Sequence, residues 1–284
     1  MTSRSLISGA RCCATALAVI FTAGSLAGCG SKAPISPIPP PSSPGTPANI
    51  TGNWELAPKV TLGSTTSIAV YLTSNAGSVS GIAEGPPAVD NVCTSNGCCG
   101  TPIGVFNNVA LTGTVDADGN LKLGTAVGGI PDFAMTGTVS GSTLSNGSFT
   151  LSGTCTAQGT ITGTEYASLD GTYAGTLTSQ ATGQSYAVTT TLDQSNVPNA
   201  SGYLNLTGTV SVSGYPCISS GTTPISSTFL GNVFNAGVNP SPNATLGWSG
   251  TLSPDGKTIE IDYGFTLNGS SCNDDYGTGT LTLQ

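Results

Sequence analysis

The sequence predicts an all-β protein made of two tandem antiparallel meander domains, each a β-barrel or a β-sandwich. Three observations predict it. Apolar residues alternate with small polar ones at period two. Asp-Gly and Asn-Gly pairs punctuate these runs. The body of the chain repeats itself at a spacing near 119 residues.

The alternation is plain in Leu111–Val115, Phe133–Val139, Ser148–Ser152, Tyr203–Val212 and Thr258–Tyr263. A period of two puts every second side chain on one face, as a half-buried strand requires. Asp118-Gly119, Asn146-Gly147, Asp255-Gly256 and Asn268-Gly269 fall beside or between such runs. Both residues of these pairs tolerate positive φ, so they predict tight hairpin turns. Beyond the first 28 residues no segment keeps helical periodicity over three turns.

The repeat is an ordered series of matches. Gly52-Asn-Trp54 corresponds to Gly171-Thr-Tyr173, and Cys93 with Thr101-Pro-Ile103 to Cys217 with Thr223-Pro-Ile225. Thr136–Val139 corresponds to Ser249–Leu252, which sets Met135 opposite Trp248, and Phe149–Cys155 corresponds to Phe265–Cys272. Offsets of 113 to 124 residues leave each unit the size of one domain with seven or eight short strands. A unit that opens with Gly-x-Trp or Gly-x-Tyr and continues in hairpins resembles small meander barrels of the avidin-like and lipocalin-like kind. The resemblance covers the opening motif and the strand count. It implies a barrel, and it carries no ligand-binding motif of those families.

The front of the chain has a different character. Arg4 and Arg11 precede an apolar stretch that ends in Leu26-Ala27-Gly28-Cys29. The stretch is short for a membrane span and has the parts of an export signal. Leu26–Cys29 resembles the lipobox of bacterial lipoproteins. The resemblance implies cleavage between Gly28 and Cys29 and lipidation of Cys29, with palmitate-type acyl chains anchoring the protein in a membrane. Two or three such chains hold stably where one does not. Gly30 stands where an Asp would favour retention in the inner membrane, so in Gram-negative sorting the resemblance points to the outer membrane. Residues 29–48 hold a run from Pro34 to Pro47 that suits an extended spacer. The expected organisation is a signal peptide over 1–28, a lipidated stalk over 29–48, a β domain over 49–168 and its repeat over 169–284.

Composition excludes more than it assigns. From residue 49 onward there is no His or Arg, and three lysines face fourteen acids, a net charge of −11. So few cations cannot track a phosphate backbone, so no nucleic-acid partner is expected. Missing His removes Ser-His-Asp and Cys-His chemistry and His-based zinc sites. No Gly-x-Ser-x-Gly, Ser-x-x-Lys or phosphate-loop motif occurs. Carboxylate-only chemistry, such as glycan hydrolysis, survives this filter without a marked pair.

After cleavage six cysteines remain beside the lipidated one: Cys93, Cys98, Cys99, Cys155, Cys217 and Cys272. In an oxidising compartment an even count reads as disulfides. The second repeat contains only Cys217 and Cys272, which predicts that they pair and that Cys93 pairs with Cys155. Each bridge would stabilise by about 4 kcal/mol in the chain-entropy model. Cys98 and Cys99 have no counterparts. They form a vicinal disulfide, or one of them displaces Cys93.

Asp116-Ala-Asp118-Gly-Asn120 has the alternating oxygens of a calcium loop but lacks its remaining ligands, so a hairpin turn is expected. Asp274-Asp275 reads as a solvated loop, and Lys257 as part of a turn. The expected role is that of a membrane-anchored, non-catalytic envelope protein without cofactor or metal, whose protein or glycan partner the sequence does not name. A small-molecule or carbohydrate-binding barrel and a carboxylate-only glycan hydrolase are the alternatives. Peptide mapping of the oxidised protein should recover Cys217 joined to Cys272; Cys217 joined to any other cysteine would break the repeat argument.

Overall fold

The computed structural model describes residues 45–60, 64–85, 88–92, 101–126, 132–153, 155–215, 221–241, 244–267 and 274–284. Its strands are β1 (Gly52–Val60), β2 (Ser64–Thr65), β3 (Ile68–Asn75), β4 (Ser78–Gly85), β5 (Val89–Val92), β6 (Thr101–Ile103), β7 (Phe106–Val115), β8 (Asn120–Thr125), β9 (Asp132–Ser140) and β10 (Thr143–Ser152). There follow β11 (Thr156–Tyr166), β12 (Gly171–Ser179), β13 (Ser185–Gln194), β14 (Leu204–Ser213), β15 (Thr222–Leu230), β16 (Val233–Ser241), β17 (Ala244–Leu252), β18 (Thr258–Leu267) and β19 (Asp275–Leu283).

Eight strands close the first barrel in the order β1-β11-β10-β9-β8-β7-β4-β3, and β12 to β19 close the second in chain order. Each barrel shuts where its first and last strands pair, β1 with β11 and β12 with β19, both antiparallel. The structure thus decides for barrels over sandwiches. Strands β2, β5 and β6 form a separate three-stranded sheet. Residues matched by the repeat occupy equivalent places. Gly52 and Gly171 begin the first strands, Met135 and Trp248 lie in the sixth, and Phe149 and Phe265 in the seventh.

The barrels follow from the period-two pattern. Along β13 burial alternates at every residue, with Tyr186, Val188, Thr190, Leu192 and Gln194 turned inward. The two polar members of that row are satisfied: Thr190 Oγ1 donates to the Thr209 carbonyl at 2.9 Å, and Gln194 Oε1 accepts the Leu169 amide at 2.9 Å. An eight-stranded barrel has an interior just wide enough for side chains to fill. Two separate cores do so, one including Trp54, Leu56, Val70, Leu111, Met135 and Leu151, the other Tyr173, Leu177, Leu206, Leu246, Trp248 and Ile259. The outward rows carry Thr, Ser, Gln and Lys, for example Thr136, Ser148, Thr150 and Lys122. This is the reverse of a membrane-spanning barrel, which is apolar outside and polar within.

Trp54 and Tyr173, paired by the repeat, have the same role. Each is fully buried, and each donates to a backbone carbonyl, Trp54 Nε1 to Ile50 at 3.0 Å and Tyr173 Oη to Gly256 at 2.7 Å. A buried aromatic with a polar tip needs such a partner.

Two expectations change. Asn146-Gly147 is not a hairpin turn. It lies inside β10, where the register against β9 and β11 shifts, and the β9–β10 turn is made by Gly141 and Ser142. Asn146 has φ of 51°, and the positive φ that suits a turn also suits a bulge. Ala48, expected at the end of the stalk, already packs on the first core and donates its amide to the Asp116 carbonyl at 3.1 Å.

Replacing Trp54 by Ala should cost about 3–5 kcal/mol of stability, whereas Tyr173→Phe, which removes one hydrogen bond, should cost about 1 kcal/mol. Urea unfolding followed by near-UV circular dichroism measures both.

Candidate functional site

The two barrels belong to one compact unit that starts at Pro44. Residues 167–170 connect them and are seated in the second barrel. Leu169 is fully buried, Asp170 Oδ1 accepts the Gln194 amide at 2.7 Å, and the Ala167 amide donates to the Pro254 carbonyl at 3.0 Å.

A seam forms where the β15–β16 hairpin tip meets the outer wall of the first barrel. Asn53, 3% exposed, pairs with the Gly231 peptide as a second strand would. Its Nδ2 donates to the Gly231 carbonyl at 2.7 Å, and its Oδ1 accepts the Gly231 amide at 2.8 Å. Gly231 has φ of 76°, and a Cβ there would stand 2.9 Å from the Ala69 Cβ. The turn and the close approach both require glycine. Tyr71 Oη donates to the Asn196 carbonyl at 2.8 Å, and the Tyr166 hydroxyl bonds to Asn232 and Glu55. Both tyrosine rings pack on the second barrel's core.

The seam forms an open pocket of about 300 Å³ lined by Glu55, Ala69, Glu84, Tyr203, Leu230 and Val233 among others. The register explains its chemistry. Glu55 pairs with Ala69, and Ala69 with Glu84, so the three form one row across β1, β3 and β4. Adjacent strands lie roughly 5 Å apart, which puts the two glutamate backbones about 10 Å from each other with a methyl group between. Glu84 is 6% exposed; its Oε1 accepts the Asn108 amide at 2.7 Å, and the Tyr203 hydroxyl bonds to it. Glu55 Oε2 is buried and has no hydrogen-bond partner. Burial raises the pKa of the Tyr71, Tyr166 and Tyr203 phenols, with carboxylates adding to the shift, and burial alone raises that of Glu165 on the neighbouring strand.

A second polar cluster lies in the second barrel. Asp275, expected in a solvated loop, is buried at the start of β19. Its Oδ1 accepts from Ser179 Oγ at 2.7 Å and its Oδ2 from Tyr263 Oη at 3.0 Å. The Tyr215 ring sits between Tyr186 and Phe265, with centroids 4.7 and 4.5 Å away. Burial, then the Asp275 charge, pushes Tyr215 up to about 12. Burial and the hydrogen bond to Asp275 raise Tyr263 as well, and Tyr173 reaches about 12 through burial and the charges of Asp170 and Asp255. Two open depressions mark the outer walls, one over β9, β10 and β11, the other over β16, β17 and β18.

Other residues singled out in the sequence fall as follows. Gly28, Cys29, Cys93, Cys98, Cys99, Cys217 and Cys272 lie outside the described residues. Cys155 is buried and disulfide-bonded. Asp116 caps its own hairpin turn: Oδ1 accepts the Asp118 and Asn120 amides at 2.9 and 2.8 Å, and Oδ2 accepts Asn120 Nδ2 at 2.8 Å. These bonds, the Asn120 side chain first, lower its pKa. Among the described residues no group of three or more acids or cysteines is placed to hold a metal. Neither Glu55 nor Glu84 carries a sequence signal, because their environment is made by a hairpin far along the chain, at residues 230–233.

No family model matches the chain, and no curated protein matches it. Among solved structures, it is similar to EF1p2_mFAP2b bound to DFHBI, at 14% identity and a TM-score of 0.30 over 41% of this chain and 94% of that one. A candidate outer membrane protein of Bacteroides fragilis matches at 10% identity and a TM-score of 0.25, over 84% and 98% of the two chains. A Nostoc punctiforme protein of unknown function from the DUF3598 family matches at 10% identity and a TM-score of 0.23, over 82% and 94%. At these scores the likenesses carry no inference for this chain.

The raised phenols set an alkaline limit. An unfolded tyrosine titrates near 10, so Tyr173 and Tyr215 hold their protons more tightly in the folded state. The stability this represents is complete below about pH 10 and is lost as the pH rises through about 12. Absorbance at 295 nm should show these phenols ionising together with the loss of near-UV dichroism. Ionisation of all eight tyrosines near pH 10 in a still-folded protein would contradict the burial described here.

Proposed function

We propose that the chain is a lipid-anchored, non-catalytic protein of the bacterial cell envelope, in which two joined barrels form a stiff interaction scaffold on a proline-rich stalk. One observation carries this reading: both barrel interiors are filled by the protein's own side chains. The surfaces left to meet a partner are the outer walls and the seam. A filled interior weighs against a ligand held inside a barrel. Polar outer rows suit barrels that stand in water beside a membrane, so attachment falls to the acyl chains on Cys29. The outer membrane is the proposed site, and the Cys217–Cys272 and Cys93–Cys155 bridges are part of the proposal. The missing His and the shortage of lysine support a binding role over catalysis.

Mass spectrometry of the membrane fraction should find an N-terminal Cys29 with diacylglyceryl and acyl groups. Cys29→Ser should release the body from the membrane fraction. A product that begins elsewhere, or a C29S protein that stays membrane-bound, would overturn the anchoring.

A further inference from the structure

We propose that the second barrel opens along one joint, between β15 and β16, and that the first barrel is the clamp that keeps this joint shut. The device is independent of the lipid anchor and of the envelope role.

The joint is laddered only at its tip. Among the described residues β15 and β16 pair as Phe229 with Phe234 and Leu230 with Val233, and nowhere else. Their outer neighbours differ. β14 pairs with β15 from Leu204 opposite Phe229 to Ser211 opposite Thr222, and β16 pairs with β17 from Val233 opposite Thr251 to Val238 opposite Leu246. The sequence supplies reasons for the gap. Backbone groups alternate between the two neighbours of a strand. The tip is a two-residue turn at Gly231 and Asn232, so the next hydrogen-bonded pair would be Thr228 with Asn235. There the Ser227 hydroxyl donates to the Asn235 carbonyl instead. Further along, Pro224 faces β16 and has no amide to donate, as is usual for proline on an edge strand.

Beyond the tip the joint is closed by packing. Ile225 and Phe229 from β15 and Ala236 and Val238 from β16 are buried in the second core. Outside, a Cβ on Gly237 would meet no atom within 4 Å, so no side chain straps the wall there. The laddered tip is the part the first barrel grips. Asn53 holds both polar groups of the Gly231 peptide, at 2.7 and 2.8 Å, and the Tyr166 hydroxyl bonds to Asn232. Proteins open locally where a segment has least support. An open joint bares two strand edges together with Ile225 and Val238, and the closed joint shows neither.

Thiol labelling of the full chain in neutral detergent reads the opening, with the unsubstituted protein as background. Val238→Cys lies at the joint and Val188→Cys in β13 away from it, at positions 3% and 2% exposed. A small maleimide should modify Val238→Cys about tenfold faster than Val188→Cys. Adding Asn53→Ala should speed the first about tenfold again and leave the second unchanged. Tyr71→Phe, which removes the seam bond to Asn196 and spares the tip, should change neither. Amide exchange at Leu230 and Val233 gives a reading without a new thiol, and Asn53→Ala should speed it by a similar factor. Melting temperatures check that the variants fold; if a cysteine variant does not, amide exchange decides. Equal labelling of the two thiols, Asn53→Ala speeding both alike or neither, or Tyr71→Phe acting as strongly as Asn53→Ala would each overturn the proposal.

Discussion

Closure of eight strands into a barrel governs most of this molecule. The closed sheet has no free edge, and its interior holds side chains and little else. Every strand must then turn one row of residues inward and leave the other to water, which is why the chain alternates Leu, Val and Ile with Thr and Ser. Tight closure also brings backbones together. At Gly208, with φ of 156°, a Cβ would collide with the Thr191 carbonyl on the facing strand. The Thr-Gly-Thr runs that recur along the chain therefore serve closure: threonine suits the outer row, and glycine admits the neighbouring strand. Because closure consumes the interior, the surfaces that remain open lie on the outside.

The outside is organised by one contact. Asn53 treats the Gly231 peptide as a strand partner, with two hydrogen bonds at 2.7 and 2.8 Å. Each such bond contributes about 1 kcal/mol net, but leaving a buried partner unmade costs about 1–3 kcal/mol, so the pair acts more as a lock than as a source of affinity. The lock fixes the hairpin tip over Ala69. The Tyr71 and Tyr166 rings and the seated connection at 167–170 hold the barrels in the same relation. The cavity is the space this arrangement leaves, and its lining comes from both repeats.

The fold was largely legible in the sequence, and the cavity was not, for a physical reason. Alternation, turn pairs and the repeat are local or periodic signals, and they predicted strands, hairpins and duplication. Choosing barrel over sandwich required knowing whether β1 meets β11 and β12 meets β19, which no local pattern encodes. Asn146-Gly147 misled because a bulge and a hairpin turn ask the same φ of the same residues. Asp275 misled because an aspartate beside a cysteine loop reads as solvated, while its burial depends on Ser179 and Tyr263 elsewhere in the chain. Glu55 and Glu84 look like ordinary outward residues of half-exposed strands until the second barrel is placed against them.

Electrostatics gives the seam its direction. At an effective dielectric constant of 20, any two negative charges about 10 Å apart repel by roughly 1–2 kcal/mol, and a carboxylate withdrawn from water pays further. Hydrogen bonds to charged groups return about 1.5–3 kcal/mol apiece, so the Asn108, Tyr203 and Tyr166 donors can offset much of this but supply no positive charge. The remaining charges of the body do not help. With three lysines against fourteen acids, the surrounding potential is negative, which draws cations toward the protein and repels anions. A seam lysine would have neutralised the pair and closed the space. Instead the row places alanine between the acids, and the hairpin that covers it brings glycine, leucine and valine. The joined barrels thereby hold a concave, negative, partly apolar surface that neither wall provides alone.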